Sequence, residues 1–181
     1  VTFLVAEIDV VRTADDLLIV GMLEKDVAAG HRGGADALDH VLHGTLSRLR
    51  EGGIFTGGFG ETLMLTRPPE PIRAGTLMLI GMGTSLAAQP AAFGTLTGLA
   101  MQAALRIGAA AAGCLLGWSE LDLPAALVEP SATAMMRGAL AAIDAQLGLE
   151  SVAPMTWTFD IRNGDGARTA TALAAVLAGW T

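Results

Sequence analysis

The sequence predicts an α/β fold: a mixed central sheet with helices on both faces. Three observations carry this. Two uninterrupted apolar runs, "LLIVGML" at residues 17–23 and "LMLIGM" at 77–82, suit strands covered on both sides. Met155, Trp157, Phe159 and Ile161 alternate with Thr156, Thr158 and Asp160, as in a strand with one buried face. Helical stripes fall between such segments, and interleaved strands and helices build a sheet clothed by helices. With 181 residues, 52% of them hydrophobic, the chain suits one domain over 1–181 with a sizeable core.

The elements follow in order. Thr2 to Val11 reads as a strand, broken by Asp15-Asp16 before the first apolar run. Residues 25–34 read as a polar loop. Leu38, Val41, Leu42, Leu46 and Leu49 form one continuous helical stripe, ended by Gly52-Gly53. Glu61 to Thr66 is a strand. Pro68, Pro69 and Pro71 mark a loop before the second apolar run.

A helix is expected over roughly Ala91 to Ala111, where Gly94, Gly98 and Gly108 make sense if its backbone lies against the sheet. Cys114 to Trp118 is a short strand. Ser131, after Pro130, is the expected N-cap of a helix carrying Met136, Leu140, Ile143 and Leu147, with Gly148 at its end. The strand at Met155–Ile161 and the turn at Asn163-Gly164 lead to a last helix with Leu173, Val176, Leu177 and Trp180. The predicted order is β-β-α-β-β-α-β-α-β-α.

Charge and composition exclude several function classes. Lys+Arg is 11 and Asp+Glu 18, a net charge of −7 with no basic cluster, which argues against nucleic acid as a partner. Lys25 is the sole lysine, so no mechanism needing two lysines applies. Cys114 is the sole cysteine and can form no intrachain disulfide. Ala91 to Trp118 carries one charge, Arg106, but its content is mostly Ala and Gly. A buried helix and strand explain it better than a membrane span. No basic-then-apolar leader opens the chain, so the expected compartment is cytoplasmic.

The motifs offer little chemistry. "FTGGFGETLML", Phe55–Leu65, places Gly57, Gly58 and Gly60 ahead of a strand. A phosphate cradle would need a helix to follow, so a turn entering a strand is favoured. "IGMGTS", Ile80–Ser85, follows a central strand and precedes a helix, where ligands of open α/β sheets bind. Gly81, Met82, Gly83, Thr84 and Ser85 are therefore the better ligand-loop candidates, with Gly57, Gly58 and Gly60 beside them. The rival reading is that Gly83 only permits the turn.

His40 and His43 each follow an aspartate, Asp36 and Asp39, by four residues, on the face opposite the leucines. That favours helix support in water over a metal site. His31 has no evident partner. Cys114 lies in an apolar run and reads as a buried thiol. Serines 47, 85, 119 and 131 lack a nucleophile context, and "NGDGAR", Asn163–Arg168, lacks calcium-loop spacing. No catalytic, metal or cofactor residue is assigned.

The stretch "ALDHVLHGTLSRLREGGIFTGGFGETLMLTRPPEPIRAGTLMLIGMG" resembles the N-terminal domain of the leucyl (cytosol) aminopeptidase family. Phe55, Gly57, Gly60 and Glu61 fill its Phe-x-Gly-Lys-x-Gly-Glu motif, with Gly58 where the family often has Lys. Leu77, Leu79, Gly81 and Gly83 fill the strand motif that follows. The clear match runs over about residues 16–105. The resemblance implies a three-layer α/β/α sandwich similar to a macro domain, an accessory to a separate two-metal peptidase domain. The Asn-Thr-Asp-Ala-Glu-Gly-Arg motif of that domain does not occur in these 181 residues. The implied function is a stand-alone accessory domain acting by association with itself or a protein partner. The alternative is a macro-domain-type binder of ADP-ribose or a related nucleotide.

Overall fold

The computed structural model describes residues 1–24, 34–84, 89–116, 124–147, 153–161 and 166–180. Six strands and five helices occur among them: β1 (Thr2–Ala6), β2 (Leu17–Leu23), α1 (Gly34–Val41), α2 (Thr45–Glu51), β3 (Thr62–Thr66), β4 (Thr76–Gly83), α3 (Pro90–Ile107), β5 (Ala111–Leu115), α4 (Ala125–Leu147), β6 (Thr156–Asp160) and α5 (Gly166–Ala178). The sheet order is β1-β6-β5-β2-β4-β3. All neighbours are parallel except β3, which runs antiparallel to β4. The sheet is mixed, as expected.

The two apolar runs are the central strands. Every residue of β2 is buried, as is β4 from Leu77 onward. Their side chains split between two cores. Leu17, Ile19, Met78 and Ile80 meet α3, α4 and α5, together with Trp157 and Phe159 of β6. Leu18, Val20, Leu77 and Leu79 meet Leu38, Leu42 and Leu46 of the α1–α2 segment, together with Phe55 and Ile72. Helices thus cover both faces.

Several expected elements differ, each for a local reason. The helix expected to reach Ala111 ends at Ile107, where Gly108 turns left-handed (φ 68°), and the strand expected at Cys114–Trp118 therefore starts earlier, as β5 at Ala111–Leu115. β1 stops at Ala6 because Asp9 Oδ1 accepts the amides of Val11 and Arg12, turning the chain so that Ile8 and Val10 fold into the core. The first helix breaks at His43 (φ 53°) and Gly44 (φ 75°), both left-handed. Asp39 does not support His43 along one helix. It caps the next one, Oδ1 accepting Leu46 N at 2.7 Å and Ser47 N at 3.2 Å, and Oδ2 accepting Ser47 Oγ at 2.6 Å.

α4 begins at Ala125, with Pro130 inside it, so Ser131 is no N-cap; its hydroxyl is buried and makes no hydrogen bond. Finally, the glycines of α3 approach a helix rather than the sheet. A Cβ on Gly94 would lie 2.9 Å from the Ala134 carbonyl oxygen, and one on Gly98 3.3 Å from that of Gly138. In α5, Leu173 is buried while Leu177 and Trp180 are largely exposed; Trp180 Nε1 donates to Asp144 at 3.0 Å. No helix among the described residues is long and apolar enough to cross a membrane.

Candidate functional site

The glycine segment lies between α2 and β3, against the carboxyl end of β4. Gly52 and Gly53 (φ 67°) close α2, and Phe55 drops fully into the core. That fixes the start of the loop. Gly57 (φ 85°) and Gly60 (φ 77°) then adopt conformations that favour glycine.

The amides of Thr56, Gly57 and Gly58 converge on one point, as in an anion-binding nest. The anion there is the protein's own. Glu61 Oε2 accepts Thr56 N at 2.9 Å, Thr56 Oγ1 at 2.9 Å, Gly57 N at 3.0 Å and Gly58 N at 3.1 Å. Burial alone would raise the Glu61 pKa, but these hydrogen bonds outweigh it and hold the carboxyl below its ordinary range.

Further backbone bonds tie the segment to β4 and to itself, Glu61 N donating to Gly58 O at 2.9 Å. Gly60 N donates to Gly81 O, Gly81 N to Glu61 O, and Gly83 N to Gly57 O, all within 2.7–2.9 Å. The fit is close. A Cβ on Gly57 would sit 2.5 Å from the Leu23 carbonyl oxygen, and one on Gly81 would run into that of Gly58. Of the residues singled out in the sequence, Gly57, Gly58, Gly60, Gly81 and Gly83 are therefore brought together. Met82 is buried beside Gly21, Thr84 is exposed, and Ser85 lies outside the described residues.

The other sequence candidates scatter. His40 and His43 are exposed, and Cys114 is buried, its thiol pushed far up by desolvation and then by the charge of Asp160. No group of three or more His, Cys, Asp or Glu side chains suited to a metal occurs among the described residues. Lys25, His31, Ser119 and the Asn163–Asp165 turn lie outside them.

Two features were not singled out from sequence. Asp160, buried at the end of β6, accepts the Ile8 amide at 2.8 Å and ties the turn after β1 to the sheet. A groove of about 1170 Å³ opens between the first turns of α3 and α5 and the N-terminal half of α4, its lining including Pro90, Ala91, Glu129, Pro130, Arg137 and Arg168. No sequence period marks it, because its residues come from three separate helices.

The layers and strand order define a macro-domain-like α/β/α fold. An Oceanobacillus iheyensis macrodomain mutant superposes with a TM-score of 0.63 at 12% identity, covering 97% of this chain and 93% of that one. A Trypanosoma brucei macrodomain in complex with ADP gives 0.64 at 16% identity, over 97% and 69%. The chain belongs to the cytosol aminopeptidase family, N-terminal domain, whose profile matches residues 19–151. A tomato leucine aminopeptidase mutant superposes with a TM-score of 0.74 at 22% identity, covering 98% of this chain. The chain spans 35% of that enzyme's length. No curated protein sequence matches the chain.

Proposed function

We propose that this domain is an aminopeptidase-family accessory module that acts through protein association and performs no peptide hydrolysis of its own. One observation carries the reading. The glycine loop is closed on itself through Glu61, while Ile54, Phe59 and Met64 beside it stay exposed by 65%, 48% and 41%. A loop whose Thr56, Gly57 and Gly58 amides are spent on its own carboxylate suits a scaffold better than a phosphate cradle, and exposed apolar side chains are material for a contact surface. A cytoplasmic setting belongs to the same reading. The test adds a divalent metal and an aminoacyl chromogenic substrate. The expected result is no release of chromophore; turnover proportional to protein would defeat the proposal.

A second reading, macro-domain-type binding of ADP-ribose or a related nucleotide, is favoured by the likeness to macrodomains, one of them in complex with ADP. Its site would be Gly81 to Ser85, where Thr84 is exposed, with Gly57, Gly58 and Gly60 packed alongside. Calorimetry with ADP-ribose decides it: saturable heat supports the nucleotide reading, and none at millimolar ligand removes it.

A further inference from the structure

We infer that β3 is a homodimerisation edge that pairs antiparallel with β3 of a second copy, about a two-fold axis through Met64. This deepens the association reading and rests on it. Among the described residues β3 is an outer strand, bonded on one side only. On that side Gly81 N donates to Glu61 O, and Arg67 N donates to Gly75 O. The backbone groups of an antiparallel strand alternate sides. Leu63 and Leu65 therefore also face β4, while Thr62, Met64 and Thr66 turn their N–H and C=O groups to the open edge.

Edges of this kind are ordinarily guarded by a charge, a proline or a bulge. β3 has none of these between Thr62 and Thr66, and its register with β4 is unbroken.

The flanking sequence supplies a complement. Glu61-Thr62-Leu63-Met64-Leu65-Thr66-Arg67 reads symmetrically about Met64, with opposite charges at its ends. Pairing centred there sets Thr62 against Thr66 and Leu63 against Leu65, twice each. The centre is also a residue whose backbone groups point outward. The two Met64 residues can thus exchange both hydrogen bonds, and each Thr62–Thr66 pair can do the same. A one-residue slip would present the groups already bonded to β4. Just beyond the ladder, where Arg67 turns left-handed (φ 54°), the same symmetry brings Glu61 of each copy to the end of the seam that carries Arg67 of the other, placing opposite charges there in a chain of net charge −7. Glu61 contributes to its nest through Oε2 alone, and Arg67 is exposed. β1, the other edge, lacks such a complement: pairing about Leu4 would set Glu7 against Val1.

Sedimentation across a concentration series, with cysteine cross-linking, tests the register. Paired Met64 Cα atoms would lie about 5.5 Å apart, within disulfide reach. Met64→Cys should therefore oxidise to a homodimer. Thr62→Cys and Thr66→Cys should cross-link when mixed and not when separate. Met64→Lys should raise the dimer dissociation constant about tenfold or more, leaving the thermal unfolding of the monomer unchanged. A wild-type chain that stays monomeric at every concentration overturns the proposal. So does a dimer that Met64→Lys leaves intact, or cross-linking indifferent to cysteine position. Turnover of the aminoacyl substrate would instead count against the functional reading and leave the edge standing.

Discussion

Glu61 places one negative charge among three amides and a hydroxyl, and its depressed pKa has a definite sign in stability. The contribution is present above the ordinary carboxyl range and is lost as pH falls through the lowered value. Glu61→Gln should cost about 1 kcal/mol near neutral pH, measured by urea unfolding, and should flatten the acid limb of the pH–stability curve. Asp15 acts with the opposite sign. Burial and then Asp16 raise its pKa, and its carboxylate lies where a Cβ on Gly113 would meet it at 2.8 Å. Its ionisation opposes folding, so stability from this group is present at low pH and is lost as pH rises through the raised value. Asp15→Asn should therefore raise the melting temperature at neutral pH, with the gain shrinking as the buffer is acidified. An equal gain at every pH would defeat that account. The glycines around Glu61 were legible as a bend. Their convergence on an acid three residues downstream was not, because it depends on the left-handed turns at Gly57 and Gly60 rather than on spacing.

At the scale of elements, the contact between α3 and α4 is set by small residues. A Cβ on Gly138 would run into the Gly94 carbonyl oxygen, which is backbone and cannot swing aside. Gly138→Ala should destabilise the fold by about 3 kcal/mol, read from the shift in urea midpoint. Gly98→Ala, whose nearest atom is 3.3 Å away, should cost clearly less because added helix propensity offsets the squeeze. A larger loss from Gly98 than from Gly138 would show that the interface is arranged differently. That α3 is a helix was legible; what its glycines face was not, since glycines marking a close approach do not name the neighbour. The break between α1 and α2 was hidden similarly. Leu42 and Leu46 keep helical spacing across it, while His43 and Gly44 reverse the backbone between them. In α4, Pro130 looked like a boundary, yet the helix begins a turn and more earlier, directly after Pro124.

For the whole molecule, the fold was legible because β2 and β4 are apolar without interruption and β6 alternates. The sheet order was not, since nothing local tells β2 to sit between β4 and β5. Of the expected ligand loop, Gly81, Met82 and Gly83 belong to the end of strand β4 itself, because the apolar run continues through them. The groove between α3, α4 and α5 was not legible, because its walls meet only in three dimensions. The position of β2 has a dynamic corollary. All seven of its residues are buried, and it is bonded to strands on both flanks. Opening it to solvent requires both helical layers and two ladders to part together, which amounts to unfolding the domain. In deuterium oxide, the amides of Leu18 to Val20 should therefore be the last to take up label, at a rate that tracks global stability.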